Sequence, residues 1–197
     1  MGIMAVKNFI DERAYEIIGG EIYMPPSATL NHNSTIFSLY DIFRDILNGK
    51  DFKFASDVDT VLNSENTPRP DFAIISDFSK IADGLDIKGA PDFIAEVLSP
   101  SNSSHDFVTK KELYEKHGVK EYWIVDIKNK NIHVHILKDG IYGTPVVYHD
   151  YSQEEIDEME WCINEKLKEQ AKITHIISHT FGEEIRVPIA KIFENII

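Results

Sequence analysis

The sequence has 197 residues, of which 43% are hydrophobic and 27% are charged, and its 20 Lys and Arg against 33 Asp and Glu give a formal net charge of −13. This composition excludes the disordered and fibrous classes and is typical of one globular domain with a substantial core. The excess of negative charge repels phosphate backbones, so it argues against an autonomous high-affinity nucleic-acid binder.

Cysteine content and hydrophobic run lengths bear on the cellular setting. The single cysteine, Cys162, cannot form an internal disulfide, and the sequence has no cysteine cluster for zinc or iron–sulfur. Charges interrupt the N-terminal residues before a signal sequence could form, and no segment approaches the roughly 18 apolar residues that a membrane span needs. We therefore expect a cytoplasmic protein with no membrane partner.

The first half of the chain contains one helical pattern among strand patterns. The Gly19-Gly20 pair tolerates the positive φ of a hairpin loop, and the apolar spacing of three and four after Leu30 is helical, with Asn31 or Asn33 available as caps. The Pro68 and Pro70 pair keeps the preceding residues extended. The predicted elements are a hairpin at 15–24, a helix at 30–47 and strands at 57–62 and 71–75.

The second half interleaves further strands with helices. A short apolar run between Pro91 and Pro100 carries Glu96 in its middle and is typical of a central strand that is covered on both faces. The predicted elements are strands at 93–98, 121–127, 131–137 and 141–147, and a helix from Ser103 or Ser104 to His117 that ends at Gly118. This order predicts an α/β sandwich in which helices flank a mixed β-sheet.

An acidic segment follows the last of these strands. Residues 150–172 hold eight acids and three lysines, and apolar residues at steps of three and four predict one amphipathic helix packed through a single seam. The seam consists of Ile156, Met159, Ile163 and Leu167. We expect a single domain over residues 1–197, with this helical segment at about 150–180 and a closing strand at 184–187 and helix at 189–197. The length of the seam also predicts a homodimer.

The leading chemical constellation combines two carboxylates and a lysine. Asp71 begins one predicted strand, Glu96 lies within another, and Lys110 lies on the following helix. Carboxylates on neighbouring strands can chelate Mg²⁺, which prefers hard oxygen ligands. A nearby lysine can orient the attacking water or offset charge at a phosphate. These are the parts of a phosphodiester hydrolase.

Helix geometry distinguishes Lys110 from its neighbour Lys111. At about 100° per residue, Lys110 falls near the centre of the face that carries Leu113 and Tyr114, whereas Lys111 falls at the edge of that face and should be solvated. A lysine on a core-facing stripe requires a carboxylate partner or a functional reason. Glu96 is the natural partner.

These residues resemble a known family. The resemblance rests on the run from Gly89 through Glu96-Val-Leu-Ser-Pro-Ser101 and on Asp106, Lys110 and Glu121-Tyr-Trp-Ile-Val-Asp126. Together these segments resemble the Uma-two family of restriction-endonuclease-like proteins, long known as a domain of unknown function. The resemblance covers roughly residues 10–149 and the last turn.

The resemblance implies a PD-(D/E)xK nuclease with a restriction-endonuclease-like three-layer sandwich. It implies that Asp71 and Glu96 are ligands for Mg²⁺ or Mn²⁺, that a lysine is catalytic, and that the substrate is nucleic acid, with DNA expected. The sequence departs from the superfamily at Leu98, where a lysine is usual, and the helical Lys110 would replace that lysine. Further cleft residues that the resemblance suggests are Glu21, His32, Ser99 and Asp106.

Structural roles for the same residues remain open. Asp71 could cap a turn, Glu96 and Lys110 could form an ion pair without a metal, and His32 could cap a helix or face solvent. Ser99 is interpreted as a hydrogen-bonding residue at a strand end. The pairs His133 with His135, on a strand, and His175 with His179, if helical, could each bind a transition metal.

Three functions therefore remain open. They are a metal-dependent endonuclease, a non-catalytic binding or regulatory module of the same fold, and a hydrolase of a small phosphorylated molecule. The carboxylates and the lysine favour the enzymes, and the net charge of −13 favours the other two over a nucleic-acid enzyme.

Overall fold

The computed structural model describes residues 15–98, 106–159 and 164–197. The strands are β1 Glu16–Ile18, β2 Glu21–Tyr23, β3 Lys53–Ala55, β4 Thr60–Val61, β5 Phe72–Ile75, β6 Ile81–Ala82, β7 Asp86–Lys88, β8 Phe93–Val97, β9 Glu121–Asp126, β10 Asn131–Lys138, β11 Ile141–Tyr142, β12 Val146–His149, β13 His175–Ser178 and β14 Ile185–Pro188. The α-helices are α1 Leu30–Ile46, α2 Lys111–His117, α3 Gln153–Met159, α4 Glu165–Ala171 and α5 Ile189–Phe193. A 3₁₀ turn lies at Phe78–Lys80 and a π-helical turn at Asp106–Lys110.

A seven-stranded mixed sheet forms the centre of the molecule. Its order is β11-β10-β9-β8-β5-β3, and β12 also pairs with β10. Strands β8 and β9 are parallel, whereas the pairs β3 with β5, β5 with β8 and β9 with β10 are antiparallel. A parallel pair needs a long crossover connection, and here that connection contains the π-helical turn and α2. The predicted mixed α/β sandwich is confirmed.

The two faces of this sheet bury separate apolar clusters. One cluster packs α1, α5 and the β13–β14 hairpin against the sheet around Phe43, Phe93 and Trp123, none of which is exposed. The other packs the β1–β2 hairpin and α2 around Ile94 and Tyr122. Alternate residues of each strand contribute to opposite faces. The second face is the one toward which Glu96 points.

Helix α1 begins at a residue other than the predicted caps. The Thr29 hydroxyl accepts a hydrogen bond from the His32 amide at 3.2 Å and is the N-cap. Asn31 instead donates its side-chain amide to the carbonyl oxygen of Ile197 at 2.8 Å. The prediction of an asparagine cap was therefore wrong, because this asparagine ties the start of α1 to the end of the chain.

The acidic segment is not one continuous helix. Helices α3 and α4 are each seven residues long, and α4 has a new N-cap at Asn164, whose backbone is extended at φ −85° and ψ 92°. The Asn164 side chain accepts from the Lys166 amide, a local bond that competes with helix continuation. Of the predicted seam, Ile156 and Met159 are half-buried, Leu167 is exposed, and Ile163 lies outside the described residues.

Three other predicted elements differ in the structure. Within 57–62 only β4 is a strand, and it belongs to a separate three-stranded sheet with β6 and β7. The predicted strand 141–147 is two strands, β11 and β12, which pair with different parts of β10. His175 lies on strand β13, which ends at Ser178, so the condition under which His175 and His179 would share a helix face is not met.

In the part of the chain that the structure describes, no helix combines the length and the apolar character needed to cross a membrane.

Candidate active site

Asp71 and Glu96 lie opposite each other, Asp71 directly before β5 and Glu96 within the neighbouring strand β8. The antiparallel register pairs Phe72 with Ala95, and one further step places Asp71 opposite Glu96. The amide of Val97 donates to Asp71 Oδ2 at 2.7 Å, which fixes the Asp71 carboxylate against β8. Both residues line a cleft of about 280 Å³. The sheet therefore holds two carboxylates together at one end of adjacent strands.

Glu96 is buried at 2% exposure and is held by two donors. Lys110 Nζ lies 3.0 Å from Glu96 Oε1, and the Tyr114 hydroxyl donates to the same oxygen at 2.7 Å. Burial, and then the charge of Glu96, raise the pKa of Tyr114, so its hydroxyl keeps its proton and remains a donor. The two donors fix the orientation of the Glu96 carboxylate.

Lys110 points into the cleft, as the helix-face geometry predicts. It is 5% exposed and closes the π-helical turn that leads into α2. A π-helical turn is rare and often occurs at functional sites. Lys111, one residue on, is partly exposed and lies 3.8 Å from Glu115. The two adjacent lysines thus occupy different environments.

Glu16 is a second buried acid at this site, beside Glu96, and the sequence patterns described above did not single it out. Its Oε1 lies 2.9 Å from Lys110 Nζ and also accepts a hydrogen bond from the Arg69 amide at 2.7 Å. Glu16 shares a strand face with the buried Ile18, and this alternation is the sequence signal that could have revealed it. The cleft therefore contains more carboxylates than the sequence indicated.

Arg69 also lines the cleft, two residues before Asp71. Its guanidinium bonds Asp57 at 2.8 Å and Asp59 at 2.9 Å, and the first of these bonds is the main cause of its raised pKa. These contacts hold the segment before β5 in place, because they anchor it to the turn that precedes β4.

His32 is the predicted cleft residue that the structure places beside Asp71. Its Nε2 lies 3.2 Å from Asp71 Oδ1, but the contact is not aligned as a hydrogen bond, which leaves this buried nitrogen unsatisfied among the described groups. Burial lowers the pKa of His32, so the imidazole is neutral at neutral pH. Its amide, not its ring, takes part in capping α1.

The other predicted cleft residues are not part of the described cleft. Glu21 is exposed at the start of β2, where its carboxylate accepts from the Tyr23 hydroxyl at 3.2 Å. Ser99 lies outside the described residues. Asp106 starts the π-helical turn, and its side chain lies outside the described part. His133 and His135 share a face of β10, with His135 stacked on Tyr122.

The donor set suits a hard divalent cation. Carboxylate oxygens are preferred by Mg²⁺ and Mn²⁺, and Mg²⁺ is usually held by one or two protein carboxylates together with water and substrate phosphate. Among the residues that the structure describes, no three His, Cys, Asp or Glu side chains converge as a preassembled metal centre. Asp71 and Glu96, which lie opposite each other in the cleft, are the residues that could hold such an ion.

Comparison with known proteins identifies the family and the fold of this chain. The fold is that of an α/β protein of the restriction-endonuclease-like class. The chain belongs to the Uma2 family, described as "Putative restriction endonuclease", whose model matches residues 7–161 and so includes every cleft residue named above.

A solved structure has the same fold. It is a crystal structure described as "a putative nuclease belonging to DUF820" from Anabaena variabilis, with a TM-score of 0.68 and 16% identity, and the match covers 93% of this chain and 91% of that chain. Among proteins of curated function, none matches this sequence. The predicted restriction-endonuclease-like fold is confirmed.

Proposed function

We propose that this protein is a divalent-metal-dependent endonuclease that hydrolyses phosphodiester bonds in nucleic acid, with DNA as the expected substrate. The observation that carries the proposal is the alignment of Asp71 opposite Glu96, with Lys110 Nζ 3.0 Å from the Glu96 carboxylate. Membership of the Uma2 family supports the same chemistry.

Asp71 and Glu96 are proposed to hold Mg²⁺ or Mn²⁺. The cleft is lined by the carboxylates of Glu16, Asp57, Asp71 and Glu96 and by the cations of Arg69 and Lys110, and this excess of negative charge favours a cation there. When bound, the ion would supply an activated water and offset charge on the phosphate. The Val97 amide and Tyr114 hydroxyl keep the two carboxylates in place before the ion arrives.

Lys110 is proposed to act on the reacting phosphate. Its buried ammonium can donate a hydrogen bond to the attacking water or to a non-bridging phosphate oxygen, where charge increases in the transition state. It would take the place of the lysine that the superfamily usually carries two residues after the strand carboxylate, where this chain has Leu98.

The ion-binding part of the proposal can be tested by thermal unfolding. Bound Mg²⁺ or Mn²⁺ stabilises the folded state by mass action, so millimolar ion should raise the melting temperature of the wild type. Asp71→Asn should lose most of that increase, because a neutral amide is a weaker ligand for a hard cation. Equal increases in wild type and variant would show that the ion binds elsewhere, for example at the acidic helices.

The catalytic part is tested on short DNA and RNA duplexes and single strands with Mg²⁺ or Mn²⁺. We expect metal-dependent cleavage that Asp71→Asn abolishes, because a neutral amide is a weaker ligand for a hard cation. Ion binding without cleavage of any nucleic acid would instead favour a non-catalytic module or a small phosphorylated substrate.

A homodimer is proposed as the assembly, because small nucleases of this fold often use two active sites to cut the two strands of a duplex. We expect light scattering to give about twice the chain mass at micromolar concentration. A mass near 22.5 kDa would contradict the dimer. The break at Asn164 means that the acidic segment would contribute two short helices, not one long seam, to any such interface.

A further inference from the structure

We propose that Glu16 is a positioning residue for Lys110: it holds the lysine in the cleft when Glu96 turns its carboxylate toward a divalent cation. This role rests on the metal site of the proposed function and assigns a task to a residue that is not itself a ligand. It follows from the way in which two buried acids share one lysine.

Lys110 lies between the two acids at equal range. Its Nζ is 2.9 Å from Glu16 Oε1 and 3.0 Å from Glu96 Oε1, and the side chains of all three residues are 3–6% exposed. A buried ammonium needs carboxylate partners because water cannot solvate it. Sharing between two acids means that the lysine can keep one partner when the other changes its contacts.

Glu16 is anchored independently of Glu96. The Arg69 amide donates to Glu16 Oε1 at 2.7 Å, and two backbone hydrogen bonds join Ile17 to Thr67 at 3.1 and 2.7 Å. These bonds fasten the β1–β2 hairpin to the segment that leads to Asp71. Glu16 therefore stays in place if the Glu96 side chain moves.

When a cation binds, Lys110 and the cation would compete for the Glu96 carboxylate. Its Oε1 accepts from both Lys110 and Tyr114 in this structure, and a cation would draw electron density from the same carboxylate and repel the ammonium. With Glu16 present, Lys110 can move its pairing toward Glu16. Without the Glu16 charge, pairing shifts toward Glu96, and Lys110 then competes with the ion for that carboxylate.

If Lys110 competes with the ion for Glu96, the effect of Glu16 on metal affinity should depend on the presence of Lys110. Glu16→Gln keeps the shape of the side chain and an oxygen for the Arg69 amide but removes the charge. We expect it to weaken Mn²⁺ binding on the order of tenfold, as is typical for the loss of one buried charged contact. In a Lys110→Met background, which removes the competitor, Glu16→Gln should change the Mn²⁺ affinity by less than about threefold.

The experiment is calorimetric titration of Mn²⁺ alone into the wild type, Glu16→Gln, Lys110→Met and the double variant, with Asp71→Asn as the reference for the site. Losses of equal size in both backgrounds would overturn the proposal, because Glu16 would then act as a ligand or through bulk charge. No loss in either background would also overturn it. If Glu16→Gln does not fold, Glu16→Asp, which keeps the charge on a shorter side chain, should show a smaller loss that again requires Lys110.

The same titration distinguishes failure of the proposed metal site from failure of the proposed role of Glu16. A wild type that binds no Mn²⁺ at a site sensitive to Asp71→Asn would refute the proposed metal site, and the positioning role with it. Normal binding by the wild type with no dependence on Lys110 would refute the positioning role alone.

Discussion

Replacing Lys110 with alanine is expected to reduce the rate of nucleic-acid cleavage on the order of a hundredfold or more, the scale of one lost acid–base or electrostatic group. The buried ammonium lies 3.0 Å from Glu96, and its removal takes away an interaction that strengthens in the transition state. Binding of the ion by Asp71 and Glu96 should persist. Single-turnover cleavage of an oligonucleotide with Mn²⁺ measures the loss directly.

Lys111→Ala is the matched control for that measurement. Lys111 is the next residue, carries the same charge, and is partly exposed, with Glu115 at 3.8 Å as its ion-pair contact among the described residues. A pair of this kind contributes little to stability, so this variant should cleave within about threefold of the wild type. If both variants cleave as fast as the wild type, Lys110 is not the catalytic lysine.

Glu121→Leu is expected to lower the free energy of unfolding by about 3 kcal/mol, because it leaves several buried donors unsatisfied. Trp123 Nε1 donates to Glu121 Oε1 at 2.7 Å, and the hydroxyls of Ser178 and Thr180 donate to Oε2. These bonds tie the β13–β14 hairpin to β9 beneath the sheet. Urea unfolding of the wild type and of Glu121→Leu at neutral pH measures the difference in the free energy of unfolding.

Glu121→Gln is the control that separates hydrogen bonding from charge. Its amide keeps an acceptor for Trp123, and the hydroxyls of Ser178 and Thr180 can rotate to accept from the nitrogen. We expect a loss of about 1 kcal/mol or less. A loss as large as that of Glu121→Leu would show that the charge itself stabilises this part of the fold.

The pH dependence of the free energy of unfolding, compared between the wild type and Glu121→Gln, gives a second measurement. Burial raises the pKa of Glu121 above its ordinary value. The stabilising contribution of the protonated group is complete below the unfolded pKa and is lost as the pH rises through the folded pKa. The wild type should therefore lose stability relative to Glu121→Gln from about pH 4 upward. Parallel stability curves would contradict this.

The pairing of Glu96 with Lys110 could be predicted because local patterns determine it. A continuously apolar strand places its one acid in the interior, and the helical period places Lys110 on the inward face. Neither inference needs knowledge of distant parts of the chain. The same holds for the strand that follows Pro70 and for the crossover helix that ends at Gly118, where φ is 84°.

Alternation with Ile18 could have indicated that Glu16 is buried, but its contact with Lys110 could not be predicted because it depends on a distant part of the chain. Its partner amide belongs to Arg69, 53 residues away, and the hairpin reaches that amide only after it has docked on Thr67. The wrong prediction of one acidic helix has another physical origin. The Asn164 side chain competes for the backbone, and a helix with a local net charge of −5 has little packing to offset that competition.

Anomalous diffraction from crystals soaked in Mn²⁺ can show whether Asp71 and Glu96 hold the ion. We expect one strong Mn²⁺ peak between the carboxylates of Asp71 and Glu96, because both are hard oxygen donors. Lys110 should lie nearer to Glu16 than to Glu96 in that structure. A cleft without a peak at millimolar Mn²⁺, or a peak only at the acidic helices, would show that Asp71 and Glu96 do not form a metal site.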